Sequence, residues 1–235
     1  MLRSLVGSEM CIRDSPKIGR VMTQLLIVPG SPALVRELAP ADVASARVRA
    51  AARGLSPRGP VDLVSSRDER WYTAHAGSLG AWGAPSVTVG GGHHLPELVA
   101  RYLFPETAIC DARARIGQLD RDTILVLDGS AGLTPRAPLA LLDHGSWAHT
   151  WCQELLGVSA SGGGAPDRGA PDGDGDSAPD ADRLREAGIV EPELWLELAA
   201  LRKELDTAGR LLATELVDAD ATTGVGRYVA RWEVA

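Results

Sequence analysis

Apolar residues in this chain fall alternately into short runs and helical stripes. Leu25-Leu26-Ile27-Val28 is a compact apolar run closed by Pro29-Gly30-Ser31-Pro32, which reads as a buried strand entering its first loop. Residues 40–55 follow as a predicted helix, with Val43, Ala46, Ala50 and Ala51 on one stripe and Arg47, Arg49 and Arg53 on the other faces. Gly54 and Pro57 stop it. Val61-Asp62-Leu63-Val64, between Pro60 and Ser65-Ser66, reads as the second strand. Residues 67–85 form a polar stretch with Trp71, Tyr72, His75 and Trp82, a long loop of the kind that is functional or disordered in compact domains. Residues 86–89 read as another short strand, and Leu95, Leu98, Val99, Tyr102 and Leu103 then mark the buried face of a helix.

Residues 123–127 are the clearest strand and end in Asp128-Gly129-Ser130. A helix is predicted over 140–156, with Trp147, Trp151 and Leu155 on one stripe, and another over 191–205, where Leu194, Leu198 and Leu201 share a face. Gly209 interrupts the pattern before Leu211 and Leu212. Tyr228, Ala230, Trp232 and Val234 then alternate with Arg227, Arg231 and Glu233, a strand with one buried face. Strands alternating with helices in this way predict an α/β fold, a mostly parallel central sheet flanked by helices in a single domain. Residues 159–182 are almost entirely Gly, Ala, Pro, Ser and Asp, too poor in apolar surface to offset chain entropy. They predict a disordered acidic insertion dividing the domain into a first part, 22–158, and a C-terminal part, 183–235.

The first 15 residues lack the long apolar core of a signal peptide. They resemble a translated sequencing-adaptor read-through, so 1–21 reads as a non-native or disordered tail and Met22 as a plausible start. The other bulk properties narrow the function. The formal charge of −7 argues against a nucleic-acid partner, which needs a concentrated basic surface. No apolar run approaches the ~20 residues of a membrane helix. Cys11, Cys110 and Cys152 share no metal-type spacing, and their odd number suits no disulfide framework, so a cytoplasmic protein is expected. With only 4% aromatic residues, the core must be built from Leu, Val and Ala.

Chemistry-bearing residues are sparse. His93 and His94, with Glu97 one helical turn on, are the best metal-ligand candidates, because imidazole and carboxylate together suit Fe, Zn or Mn. His75 in the long loop could join them; a plain surface role for the histidine pair is the competing reading. Asp128 stands where an α/β fold places an active-site carboxylate, or else caps its own turn. Ser130 lacks the G-x-S-x-G context of a hydrolase nucleophile. Gly90-Gly91-Gly92 before a helix offers backbone amides to a phosphate, although neither a P-loop nor a dinucleotide motif is present. Asp172, Asp174 and Asp176 mimic a calcium loop but have Ser177 and Arg183 where Gly and Glu are required. His144 and His149 read as packing or surface residues.

Several of these features occur in a familiar order. The first strand with its Pro-x-x-Pro loop, Asp128-Gly129-Ser130-Ala131 with Ala137-Pro138 and Leu142-Asp143, Gly209-Arg210, and the ending Gly224-Val225-Gly226-Arg227-Tyr228-Val229-Ala230-Arg231-Trp232 together resemble an actinobacterial branch of the class III extradiol ring-cleavage dioxygenase-like family. The resemblance spans most of residues 23–235 apart from the insertion. It implies a non-haem Fe(II) held by two histidines and a glutamate, with open positions for a catechol and O₂. The family's first histidine lies in a Pro-His-x-Pro loop after the first strand, and Gly30 stands at that position here. His75, His93 and Glu97 are the candidates for the remaining ligands. The expectation is therefore a family member that has lost iron-dependent ring cleavage and serves in binding, with a small aromatic molecule as a candidate partner. Two other readings stay open: an active metal-dependent oxidoreductase of the aromatic-ring dioxygenase type with a rebuilt divalent site on His75, His93 or His94 and Glu97, and a non-catalytic partner subunit of an active homologue, with a homo- or hetero-oligomer as the candidate assembly. Histidine at position 30 would be the direct probe of the missing ligand.

Overall fold

A computed structural model describes residues 22–157 and 179–235. Six strands, β1 (Thr23–Val28), β2 (Val61–Val64), β5 (Ile109–Arg113), β6 (Thr123–Val126), β7 (Leu211–Asp220) and β8 (Arg227–Val234), form one sheet in the order β5-β2-β6-β1-β8-β7. The first four are mutually parallel, and β8 runs antiparallel to both β1 and β7. This is the mostly parallel α/β sheet predicted from the sequence. The interior strands are buried on both faces, which is why β1, β2 and β6 read as near-continuous apolar runs.

Alternation along these strands separates two cores. Leu26, Val28, Val61, Leu63, Ile124, Val126 and Val229 face the helices α1 (Val43–Gly54) and α2 (Leu95–Leu103). Leu25, Ile27, Val64, Leu125, Leu127, Tyr228, Ala230 and Trp232 face α3 (Gly145–Leu156), α4 (Ala181–Glu186) and α5 (Pro192–Thr207). The result is a three-layer sandwich of helices, sheet and helices.

Several local predictions are corrected. In α1 the buried stripe is Ser45, Val48 and Ala52, while Val43 is 82% exposed and Ala46 and Ala50 face solvent. Asp42 begins this helix by accepting the Ser45 amide at 3.0 Å, so the predicted start at residue 40 lies outside it. The buried face of α3 is Gly145, Ala148, Cys152 and Leu156, displaced by one position from the tryptophan stripe, and the helix starts at 145 rather than 140. The strand predicted at 86–89 is β4 (Ala84–Thr88), and it does not join the main sheet. It pairs antiparallel with β3 (Ser78–Leu79) as a small hairpin inside the predicted long loop. Both β5 and β7 went unpredicted, and each is an edge strand.

Gly209 follows α5 with φ +59°, a left-handed turn that glycine adopts without steric cost, and releases the chain into β7. Asp180 caps α4 by accepting the Arg183 amide at 2.8 Å, so this helix begins within the stretch read as insertion. The rest of that stretch, with Asp172, Asp174 and Asp176, and the tail 1–21 lie outside the described residues.

Candidate functional site at the strand ends

After β1 the chain turns to α1 on one face of the sheet; after β6 it turns to α3 on the other. Because β1 and β6 are neighbours, the crevice above their carboxyl ends is a topological switch point, where open α/β sheets bind ligands. Gly30 and Asp128 meet there.

The Gly30 amide donates to Asp128 Oδ2 at 3.1 Å. The Asp128 backbone is fixed as well, since Trp195 Nε1 donates to its carbonyl at 2.9 Å and the next amide, of Gly129, donates to Gly226 O at 2.7 Å. The other carboxyl oxygen, Oδ1, is buried without a hydrogen-bond partner, as is Ser65 Oγ at the end of neighbouring β2. Burial pushes the Asp128 pKa up to about 7, against the opposing pull of the Gly30 amide and the Arg227 charge. Burial thus favours the protonated form of Asp128, which can donate a hydrogen bond that an ordinary carboxylate cannot.

Gly30 itself is closed in. A Cβ at this position would lie 3.0 Å from Val126 Cγ1, 3.2 Å from Asp128 Oδ2 and 3.2 Å from Pro96 Cβ. A histidine there would have to displace the β6 end or the start of α2 before reaching any ligand, so histidine at position 30 is a poorer probe than the sequence suggested.

Beside this crevice, the start of α2 carries the predicted metal candidates. Glu97 is buried on the helix and gives both oxygens to arginines: Oε1 accepts from Arg101 Nε and Nη2 at 3.0 and 2.9 Å, and Oε2 accepts from Arg67. Burial works to raise its pKa, but the hydrogen bonds and charges of Arg101 and Arg67 outweigh that and hold it below the usual carboxylate range. Arg67 also donates to His94 Nδ1 at 3.2 Å, so that nitrogen is the acceptor. Burial and the Arg67 charge lower the His94 pKa and favour a neutral ring. His93 Nδ1 donates to Thr73 O at 3.0 Å, and its ring stacks on Tyr72 with centroids 5.7 Å apart. His75 is exposed on the loop.

His93, His94 and Glu97 therefore share one neighbourhood, with Tyr72 and Arg67 between them, and His75 stays outside it. Among the described residues no three His, Cys, Asp or Glu side chains are grouped to hold a metal ion. These donors do not fit the Fe(II) that the family resemblance implies, because the one carboxylate is neutralised by two guanidinium groups and the glycine loop supplies no ligand.

Sequence reasoning missed Arg67, Arg101 and Glu191. Glu191 accepts from Trp71 Nε1 at 3.0 Å and, with Ser66, Arg67, Asp68, Arg115 and Glu197, lines a cleft of about 260 Å³ at the same edge of the sheet. A glutamate flanked by Leu95, Leu98 and Val99 on an apolar helix was the available signal for a buried ion pair. His149 is half-buried against Tyr228, whose hydroxyl shares a 2.6 Å hydrogen bond with its Nδ1, in keeping with a packing role. His144 precedes α3 and its side chain makes no capping hydrogen bond. No helix among the described residues is long and apolar enough to cross a membrane. Comparison with known protein families, curated proteins and solved structures finds no match to this chain.

Proposed function

We propose that the chain is a class III extradiol dioxygenase-like protein that performs no iron-dependent ring cleavage and acts through binding at the strand-end crevice. One observation carries this reading. The loop after β1, where the resemblance places the first metal ligand, presents Gly30, whose amide is spent on Asp128 and whose side-chain space is filled by Val126, Asp128 and Pro96. The pairing of Glu97 with Arg67 and Arg101 supports it, since a carboxylate that already balances two cations is a weak donor to a third. What the site retains is a buried protonatable carboxyl group at a switch point, with one oxygen that makes no hydrogen bond, a partner for an uncharged hydroxyl or carbonyl oxygen of a small aromatic molecule.

The test is to purify the protein anaerobically, load it with Fe(II), measure retained iron by mass spectrometry and follow catechol-dependent O₂ uptake. Retained iron should be far below one per chain, with no catechol-dependent uptake. Stoichiometric iron with turnover would overturn the reading.

A further inference from the structure

A second concave region lies on the α1/α2 side of the molecule, where a cleft of about 640 Å³ opens between β4, the last turn of α2 and the turn entering β5. That size falls within the ~300–1,000 Å³ of small-molecule sites. It reaches the beginning of β5, at the amino ends of the parallel strands, whereas Asp128 lies at their carboxyl ends. The two sites are separate.

The charged groups of this cleft sit at its two ends. Arg53 lies over the Tyr102 ring, with its guanidinium carbon 5.1 Å from the centroid, and Nη2 donates to Tyr102 O at 3.3 Å. Glu37, which accepts from the Tyr102 hydroxyl at 3.2 Å, balances Arg53 at this end. At the other end Arg101 pairs with Glu97, which Arg67 binds from outside the cleft. Arg101 uses Nε and Nη2 on Glu97, and its Nη1 donates to no acceptor among the described residues. A Cβ at Gly91 would lie 3.9 Å from that nitrogen, so the free edge of the guanidinium borders the triple-glycine turn. Gly90, in the same turn, lines the cleft with φ +56°, a conformation open to glycine, and its amide donates to no carbonyl among the described residues. The remaining wall is mixed, with Ser86, Thr88 and Thr107 beside Val89, Pro105 and Ile109.

We infer that this cleft binds an organic oxyanion, a phosphate ester or a carboxylate, with the anionic group between Arg101 Nη1 and the Gly90 amide and the rest of the molecule along the mixed wall of Ser86, Thr88, Val89 and Ile109. The free edge of a guanidinium beside an unused backbone N–H is the donor arrangement that oxyanions require. The volume exceeds what a lone inorganic anion fills and leaves room for an organic part. The inference gives the Gly90-Gly91-Gly92 turn a role beside Arg101 in place of the helix-start phosphate site considered from the sequence.

Isothermal titration calorimetry on the full chain at low salt tests it with phenyl phosphate, benzoate and, as the neutral control, benzyl alcohol. At least one of the two anions should bind one per chain, at least tenfold more tightly than benzyl alcohol; which one binds identifies the oxyanion. Thr88→Glu, at an exposed position on the wall, adds a like charge and should weaken that anion at least tenfold. Arg101→Gln keeps a hydrogen bond to Glu97 while losing the charge, and should weaken it to a similar degree. Absence of binding by both anions, equal binding of benzyl alcohol, or an affinity unchanged by Thr88→Glu would overturn the inference. Because Thr88 touches neither Glu97 nor the core, its result stands even if Arg101→Gln fails to fold. The outcome is independent of whether the strand-end site holds iron.

Discussion

At the scale of single residues, Asp128 makes the sharpest claim on the measurable behaviour of the protein. Its pKa rises from an ordinary value of about 4 to about 7 on folding, chiefly through burial. The Arg227 charge opposes that rise, the Glu191 charge reinforces it, and Asp128 in turn helps to raise the pKa of the Tyr228 hydroxyl on β8. The folded state therefore binds the proton more tightly than the unfolded one. The stability associated with the neutral carboxyl is fully present below pH 4 and is lost as pH rises from about 4 to about 7. Asp128→Asn removes this dependence and keeps an acceptor for the Gly30 amide. Its unfolding free energy from urea denaturation should gain on that of the native protein through that window, by a difference on the order of a few kcal/mol that stays constant above pH 7. A parallel pair of pH profiles would refute the buried neutral carboxyl. The position of Asp128 was legible because a strand followed by Asp-Gly-Ser is a local pattern. Its closure against Gly30 was not, since the two residues meet only when β1 and β6 pair. The same holds for Glu97: its neighbour Arg101 lies one helical turn away, but Arg67 arrives from the end of β2.

At the scale of elements, the strands that can be read from apolar runs are the interior ones. β1, β2 and β6 are buried on both faces and carry their own signal. β5, with Cys110 and Asp111 exposed, has too few apolar positions to declare itself, and β7 carries two register shifts that break its alternation. In α1 and α3 the stripe of largest or most apolar side chains differs from the buried stripe. Small residues, Ser45 and Ala52 or Gly145 and Ala148, are what allow those helices to approach the sheet. Ser45 has a further task, because its hydroxyl accepts from the buried Arg227 guanidinium at 2.5 Å while the same group binds Asp220 Oδ2 through Nε and Nη2 at 3.1 and 2.5 Å. One arginine thus fastens α1, β7 and β8 together. Arg227→Met should cost about 3–5 kcal/mol, since Asp220 is left buried without its main partner. Adding Asp220→Leu should recover much of the loss, and chemical denaturation of the single and double variants measures both. A single variant as stable as the native protein would show that the ion pair adds nothing to the attachment of β7.

At the scale of the whole molecule, the sheet is closed by pairing β1 with β8, two strands far apart in the sequence. Leu25 in the first strand stands opposite Trp232 in the last, and β8 separates β1 from the edge strand β7. The same strand supplies Val229 to one core and Tyr228, Ala230 and Trp232 to the other. Both cores, and the Gly226 carbonyl that anchors Gly129 beside Asp128, therefore depend on β8 and the turn that leads into it. Trp232 is fully buried, and its indole donates to Leu156 O at 3.3 Å at the end of α3. Trp232→Ala should cost about 3–5 kcal/mol through the cavity it opens between β8 and α3. A chain ending at Gly226 loses far more: it strips β1 of its antiparallel partner and exposes two apolar faces at once. Such a chain should show no cooperative thermal transition and should bind a dye specific for exposed apolar surface, whereas Trp232→Ala should retain a single transition at a lower temperature. A cooperative transition in the truncated chain would mean that the parallel half of the sheet, β5-β2-β6-β1 with α1 and α2, folds as an independent unit. The oxyanion cleft lies wholly within that half and the strand-end crevice does not, so only the cleft would then survive truncation.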